Sequence, residues 1–186
     1  MARKTIAMLY ESSNKGNIPI VVDTSPCTYQ LTTLLPLLDD NHKKLYQQLT
    51  LMDLIPFLEG LIHNNPTPQL QRHSILHPTC STEKMGDVES LLALAKTCAE
   101  ETTLPINRGC CGFAGDRGLL VPELTASATQ FEADELVDCD PGSFAYSSSK
   151  TCEIGMQRAT GRNYESIALL VRDYLSQDKG ELDHWK

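Results

Sequence analysis

Apolar positions along the chain fall into short β-branched runs and longer stretches with helical spacing, and the two kinds alternate. Ile18-Pro-Ile-Val-Val-Asp23, Ser74-Ile-Leu-His77, Leu104-Pro-Ile-Asn107 and Asp134-Glu-Leu-Val-Asp138 read as four short strands. Ser25 and Pro26 suit the start of a helix that turns Leu31, Leu34 and Leu35 inward and ends near Pro36. Asp53 is placed to cap a second helix carrying Leu54, Phe57, Leu58, Leu61 and Ile62. Residues 87–101 form a third, with Val88, Leu91, Leu92, Ala95, Cys98 and Ala99 on one stripe. Further helices are expected at 5–10, at 122–131, from Thr151, and after Asn163 with Ile167, Leu170, Val171 and Tyr174 inward. The charged tail from Gln177 is expected to fray. This alternation predicts an α/β fold: a largely parallel sheet flanked by helices on both faces.

A second regularity lies on top of the first. The unit strand, small polar turn, cysteine, helix recurs at Cys27, Cys80 and Cys110-Cys111, and with a longer loop at Cys152. Carboxyl ends of strands in an open parallel sheet face one crevice. Four separate cysteine loops should therefore converge at one sheet edge, which packing alone does not require. Gly109-Cys110-Cys111-Gly112, with Gly115 and Gly118 beyond, is the centre of the pattern. A disulfide between neighbours is strained, so the pair suggests thiolates directed at one metal centre. Glycines at 109, 112 and 115 let backbone approach a bulky inorganic group. The plainer alternative is a tight turn with two small buried cysteines. Cys27, in a helix first turn, gains thiolate character from the dipole. Cys98 belongs to an apolar helix face and reads as core, whereas Cys139 reads equally as ligand and bystander.

Composition narrows the class. A chain of 186 residues, 41% hydrophobic and 22% charged, can bury a core as one globular unit. Its net charge of −8 and lack of a basic stripe argue against nucleic acid. No apolar run reaches the ~20 residues of a membrane span, and the N-terminus does not read as a signal peptide. Seven cysteines, an odd number without an export signal, point to a reducing, cytoplasmic setting rather than a disulfide framework. His77 reads as a turn residue or as support for a ligand. His73 flanks the same strand, and His42 and His63 read as solvated. Arg117 is placed to offset cluster charge or to pair at the surface, Asp116 reads as a turn residue, and Trp185 has no evident role.

His77-Pro-Thr-Cys80, Gly109-Cys-Cys-Gly112-Phe-Ala-Gly115 with Pro122-Glu-Leu124, and Thr151-Cys152 together resemble the cysteine-rich CCG domain. That domain occurs in heterodisulfide reductases, in the iron–sulfur component of glycolate oxidase and in lactate-utilisation proteins. Ser148-Ser-Lys-Thr-Cys-Glu-Ile-Gly-Met156 looks most like the C-terminal region of FAD-linked, iron–sulfur D-lactate dehydrogenases. The resemblance implies metal ligation by Cys80, Cys110, Cys111 and Cys152, with Ser149 where the first cysteine of Cys-x-x-Cys would stand and Cys27 or Cys139 as substitutes. It implies a 4Fe-4S type cluster relaying electrons from flavin to a quinone, cytochrome or disulfide acceptor. Residues 1–45 then resemble the end of a preceding repeat, 46–178 the CCG domain, and 179–186 a tail. The chain shows no dinucleotide fingerprint, so FAD is expected in another domain of a longer parent protein, cytoplasmic or peripheral to the inner membrane. The competing readings are a zinc site on the same cysteines or with His77 replacing one, a Cys110–Cys111 thiol-redox module, and a metal-free scaffold domain.

Overall fold

The computed structural model describes residues 1–177; the tail expected beyond Gln177, with Trp185, lies outside the described residues. In chain order the first elements are α1 (Ala2–Ser12), β1 (Ile20–Val22), α2 (Ser25–Thr32), α3 (Asp40–Tyr46), β2 (Leu51–Asp53), α4 (Leu54–Asn64) and β3 (Leu70–His77). Then follow α5 (Cys80–Met85), α6 (Val88–Cys98), β4 (Ala99–Thr103), α7 (Arg117–Leu120) and α8 (Pro122–Glu135). The chain continues through β5 (Phe144–Ser147), α9 (Lys150–Thr160), β6 (Tyr164–Ser166) and α10 (Ile167–Ser176). The fold is α/β with parallel strands, as the alternation predicts, but the strands form two sheets. β1 pairs with β2, and the larger sheet runs β4-β3-β5-β6.

Helices cover both faces of the larger sheet, and period-two alternation shows how. Leu76 and Tyr146 turn to one face, where α4, α6 and α10 bury Ile55, Leu58, Leu91, Leu94, Cys98, Leu170 and Tyr174. Ile75 and Ala145 turn to the other, against Leu136, Met156 and Tyr164. With both faces covered, the central strands β3 and β5 are buried on successive residues at their carboxyl ends. A separate cluster of Ile6, Leu34 and Leu38 joins α1 and α3 to the segment after α2.

Four strand or cap assignments need correction. Leu104-Pro-Ile-Asn107 is a loop with Ile106 exposed, and the strand is the preceding Ala99–Thr103. Its acidic residues fit because β4 is an edge strand. Asp134-Glu-Leu-Val-Asp138 is the end of α8 and a turn, with Val137 exposed. The strand of this region is instead Phe144–Ser147, inside the stretch expected to be a loop. Asn163 does not cap the last helix. It precedes β6, and Ser166 Oγ accepts the Ala168 N–H at the start of α10. Leu35 and Phe57, expected inward, are exposed. The helix expected over 87–101 ends at Cys98, where β4 begins.

Other expectations hold. Asp53 accepts the Ile55 N–H and caps α4, although it also ends the unforeseen β2. Pro26 lies in the first turn of α2, which Thr24 rather than Ser25 precedes as cap residue. Ser25 is used differently: its hydroxyl bonds Asp53 Oδ1 and Ser148 Oγ, joining the small sheet to the end of β5. Thr28 donates to the other Asp53 oxygen at 2.6 Å, so both oxygens of the buried carboxylate are engaged.

Candidate metal centre

Because all strands of the larger sheet run parallel, their carboxyl ends share an edge, and the cysteine units are delivered there. β3 ends at His77, and Pro78-Thr79 turns the chain into α5. The Thr79 hydroxyl accepts the Thr82 N–H, starting that helix at Cys80. The loop after β4 carries Cys110 and Cys111. β5 ends at Ser147, and Ser148-Ser149 leads into α9, placing Cys152 in its first turn. His77 and Ser147 are register partners on adjacent strands. The loops after β3 and β5 are therefore neighbours by construction.

Three of these side chains meet in the interior. A His77 ring nitrogen and the sulfurs of Cys111 and Cys152 all lie within 4.8 Å of one another, and all three residues are buried. Cys111 Sγ is 3.0 Å from Cys152 Sγ. Cys80 is half-buried and Cys110 exposed. Burial pushes the Cys80 thiol up, as does its contact with Cys110, and charge on both Cys80 and Cys110 is felt at Cys152. His77, Cys111 and Cys152 form the compact group, and the charges of Cys80 and Cys110 act on it from nearby. Cys27 lies exposed on α2, with no hydrogen bond to these thiols. Cys139 packs against the Ile75–Met156 cluster, and its carbonyl accepts from Arg162. Ser149 precedes α9 with its hydroxyl on Thr151 Oγ1 at 3.1 Å.

The electrostatics are those of a thiolate beside a cation. His77 Nδ1 is 2.9 and 3.0 Å from the two Glu132 oxygens, and both side chains are buried. Burial alone would depress the imidazole. Its interactions with Cys111 and Glu132 outweigh that and raise His77 to about 9. Cys111 falls to about 5, chiefly because Cys152 donates to it, with His77 and the Phe113 N–H adding to the effect against burial. Cys152 moves upward, since the proton it gives to that contact is held there. His77 Nε2 is buried without a hydrogen-bond partner. With Nδ1 turned to Glu132, Nε2 is the nitrogen left to face the sulfurs.

The glycines have different jobs. Gly112 has φ +67, and a Cβ there would stand 2.7 Å from Leu124 O and 2.9 Å from Ala128 Cβ. The close approach this glycine permits is therefore to α8. A Cβ at Gly118 would strike the Phe113 ring at 2.5 Å. Nothing stands within 4 Å of a Cβ at Gly109 or Gly115. Arg117 is exposed. The cation over the loop is Arg158, 5.7 Å above the Phe113 ring and donating to Gly118 O at 3.0 Å. Asp116 stands at the start of α7. His73 is bonded to Thr103 and Ser143, and His42 to Asp39.

Glu132 escapes a reading of the sequence because the helix expected there stops at Phe131. A signal exists: Thr125, Thr129, Glu132 and then Leu136 recur at helical spacing, and all are buried. Three of the four are polar, so a search for apolar periodicity misses the face. The arrangement as a whole is a buried nitrogen–sulfur donor set able to hold a metal ion. No protein-family model, curated protein or solved structure matches the chain.

Proposed function

We propose that this chain is the metal-bearing electron-transfer domain of a flavin-linked oxidoreductase of the D-lactate or glycolate dehydrogenase type. Its iron–sulfur centre would be held at the sheet's carboxyl edge by Cys80, Cys110, Cys111 and Cys152. The observation that carries this reading is the meeting of the Cys111 and Cys152 thiols, from two separate strand–helix junctions, with a buried histidine nitrogen, near enough to Cys80 and Cys110 for their charge to act on Cys152. Thiolate donors in that number fit an iron–sulfur group, which when bound would supply a one-electron relay.

The surrounding residues have definable tasks. Phe113 and Tyr164 are 1% exposed and keep water from the inner side. Glu132 holds the proton on His77 Nδ1, and Arg158 places positive charge near the thiolate loop. Flavin would come from another domain of the parent protein, because the Gly109–Gly118 spacing is not that of a dinucleotide loop. Quinone, cytochrome or disulfide remain the acceptor classes. No helix among the described residues is long and apolar enough to cross a membrane. The cytoplasmic or membrane-peripheral location is part of the proposal.

Protein purified without oxygen should be brown and contain iron and acid-labile sulfide in matching amounts, with an electron paramagnetic resonance signal on reduction. Colourless protein with stoichiometric zinc and no sulfide would replace this reading by the zinc scaffold. One observation favours that second reading. Two thiolates on a single tetrahedral zinc stand about 3.8 Å apart when Zn–S is ~2.3 Å. Cys111 and Cys152 sulfurs at 3.0 Å need only separate slightly to share one ion.

A further inference from the structure

We infer that His77 is itself a metal ligand at this edge, through Nε2, and that Glu132 is the carboxylate that orients it. The ligand set becomes His77, Cys111 and Cys152, with one thiolate of the Cys80–Cys110 pair as the fourth. This rests on reading the edge as a metal centre, and it changes an all-thiolate site into a mixed one.

Three observations converge. His77 is fully buried, yet its Nε2 has no hydrogen-bond partner. Apart from its electrostatic interaction with Cys111, this buried atom lacks a partner, which is unfavourable. A ring nitrogen of His77 and the two buried sulfurs all lie within 4.8 Å of one another. The opposite nitrogen is fixed by both oxygens of the buried Glu132. Histidine bound to a metal through one nitrogen characteristically donates its other N–H to a carboxylate, which sets tautomer and ring orientation. α8 presents Glu132 to the ring from its buried Thr125–Thr129 face.

The competing use of such a trio is a Cys–His–Glu nucleophile. That use needs an accessible sulfur, and Cys111 is 4% exposed, clustered with Phe113 and Cys152. A metal ligand is served by that burial, whereas a nucleophile is obstructed by it.

X-ray absorption at the zinc edge of the full chain, loaded anaerobically with zinc, tests the assignment. Wild type should show one nitrogen at about 2.0–2.1 Å with imidazole multiple scattering, beside sulfur at about 2.3 Å. His77→Ala should lose the nitrogen signature. Glu132→Ala should retain it but bind zinc roughly 10- to 100-fold more weakly. Glu132→Gln, still able to accept from Nδ1–H, should recover part of that loss, which a merely structural role for Glu132 would not predict. A sulfur-only shell in wild type overturns the inference, independently of whether any variant folds. So does wild type that takes up no zinc, or metal-free protein whose Cys111 is alkylated rapidly in a His77-dependent way. Iron and sulfide in the anaerobic preparation with a sulfur-only zinc shell would overturn it and leave the electron-transfer reading standing alone. An imidazole shell with no iron or sulfide would do the reverse.

Discussion

Cys98 and Cys111 are both buried, 0% and 4% exposed, yet their thiols are driven in opposite directions. Cys98 ends α6 among Leu91, Leu94, Ala95 and the α4 and α10 side chains, in wholly apolar company. Burial alone pushes it up to about 12. Cys111 sits at the carboxyl edge of the same sheet, where Cys152, His77 and the Phe113 N–H pull it down to about 5. Burial by itself therefore says little about what a cysteine does. Donors aimed at the sulfur decide whether the thiolate exists at neutral pH.

The difference can be attacked from both sides. The largest effect is expected at the edge. Cys111→Ser should remove the metal, because a hard oxygen replaces a thiolate. In the flavin-linked enzyme proposed above, it should stop transfer to the distal acceptor while substrate still reduces flavin at a near-normal rate. Stopped-flow measurement of flavin bleaching and acceptor reduction, followed separately, checks this, and wild-type acceptor reduction by the variant would break the relay.

Gly112→Ala acts on the loop that carries the thiol. Positive φ for alanine and overlap with Leu124 O and Ala128 Cβ together should cost about 2–4 kcal/mol. Urea unfolding of the metal-free protein would show it, and an unchanged midpoint would mean that α8 does not hold the loop as described. On the core side, Cys98→Ala should cost only about 1 kcal/mol or somewhat more and leave metal content unchanged. Loss of metal in that variant, with the fold intact, would erase the contrast between the two cysteines.

The smallest effect concerns the loop between β4 and the cysteines. Glu135 accepts the N–H groups of Ile106 and Asn107 and the Asn107 side-chain amide at 2.8–3.0 Å. Burial would raise its pKa, but the Asn107 and Ile106 donors prevail and hold it below the ordinary glutamate value. A depressed folded pKa stabilises above the unfolded value of about 4.3 and is lost as pH falls through the lower folded one. Glu135→Gln should therefore flatten the acid limb of the stability profile by less than about 0.5 kcal/mol, as suits an exposed interaction. A difference from wild type that is the same at acid and at neutral pH in pH-dependent urea unfolding would contradict the assignment.

Alternation of apolar runs with helical stripes is enough to establish the α/β class, the Asp53 cap, the Cys98 core position, and the strand–cysteine–helix units at Cys27 and Cys80. These are local consequences of periodicity and turn chemistry, readable within a dozen residues. The runs at 104–107 and 134–138 mislead because short apolar stretches do not reveal whether a sheet or solvent lies beside them. β2, β6 and the division into two sheets depend on pairing between distant segments, which no local pattern carries. The same holds for the candidate site. The cysteines announce themselves by type and spacing. That His77 leaves Nε2 unpartnered and that Glu132 reaches it across 55 residues follow from parallel register and helix packing. Those relations exist only once β3, β5 and α8 are assembled, because a hydrogen bond between distant residues has a partner only in three dimensions.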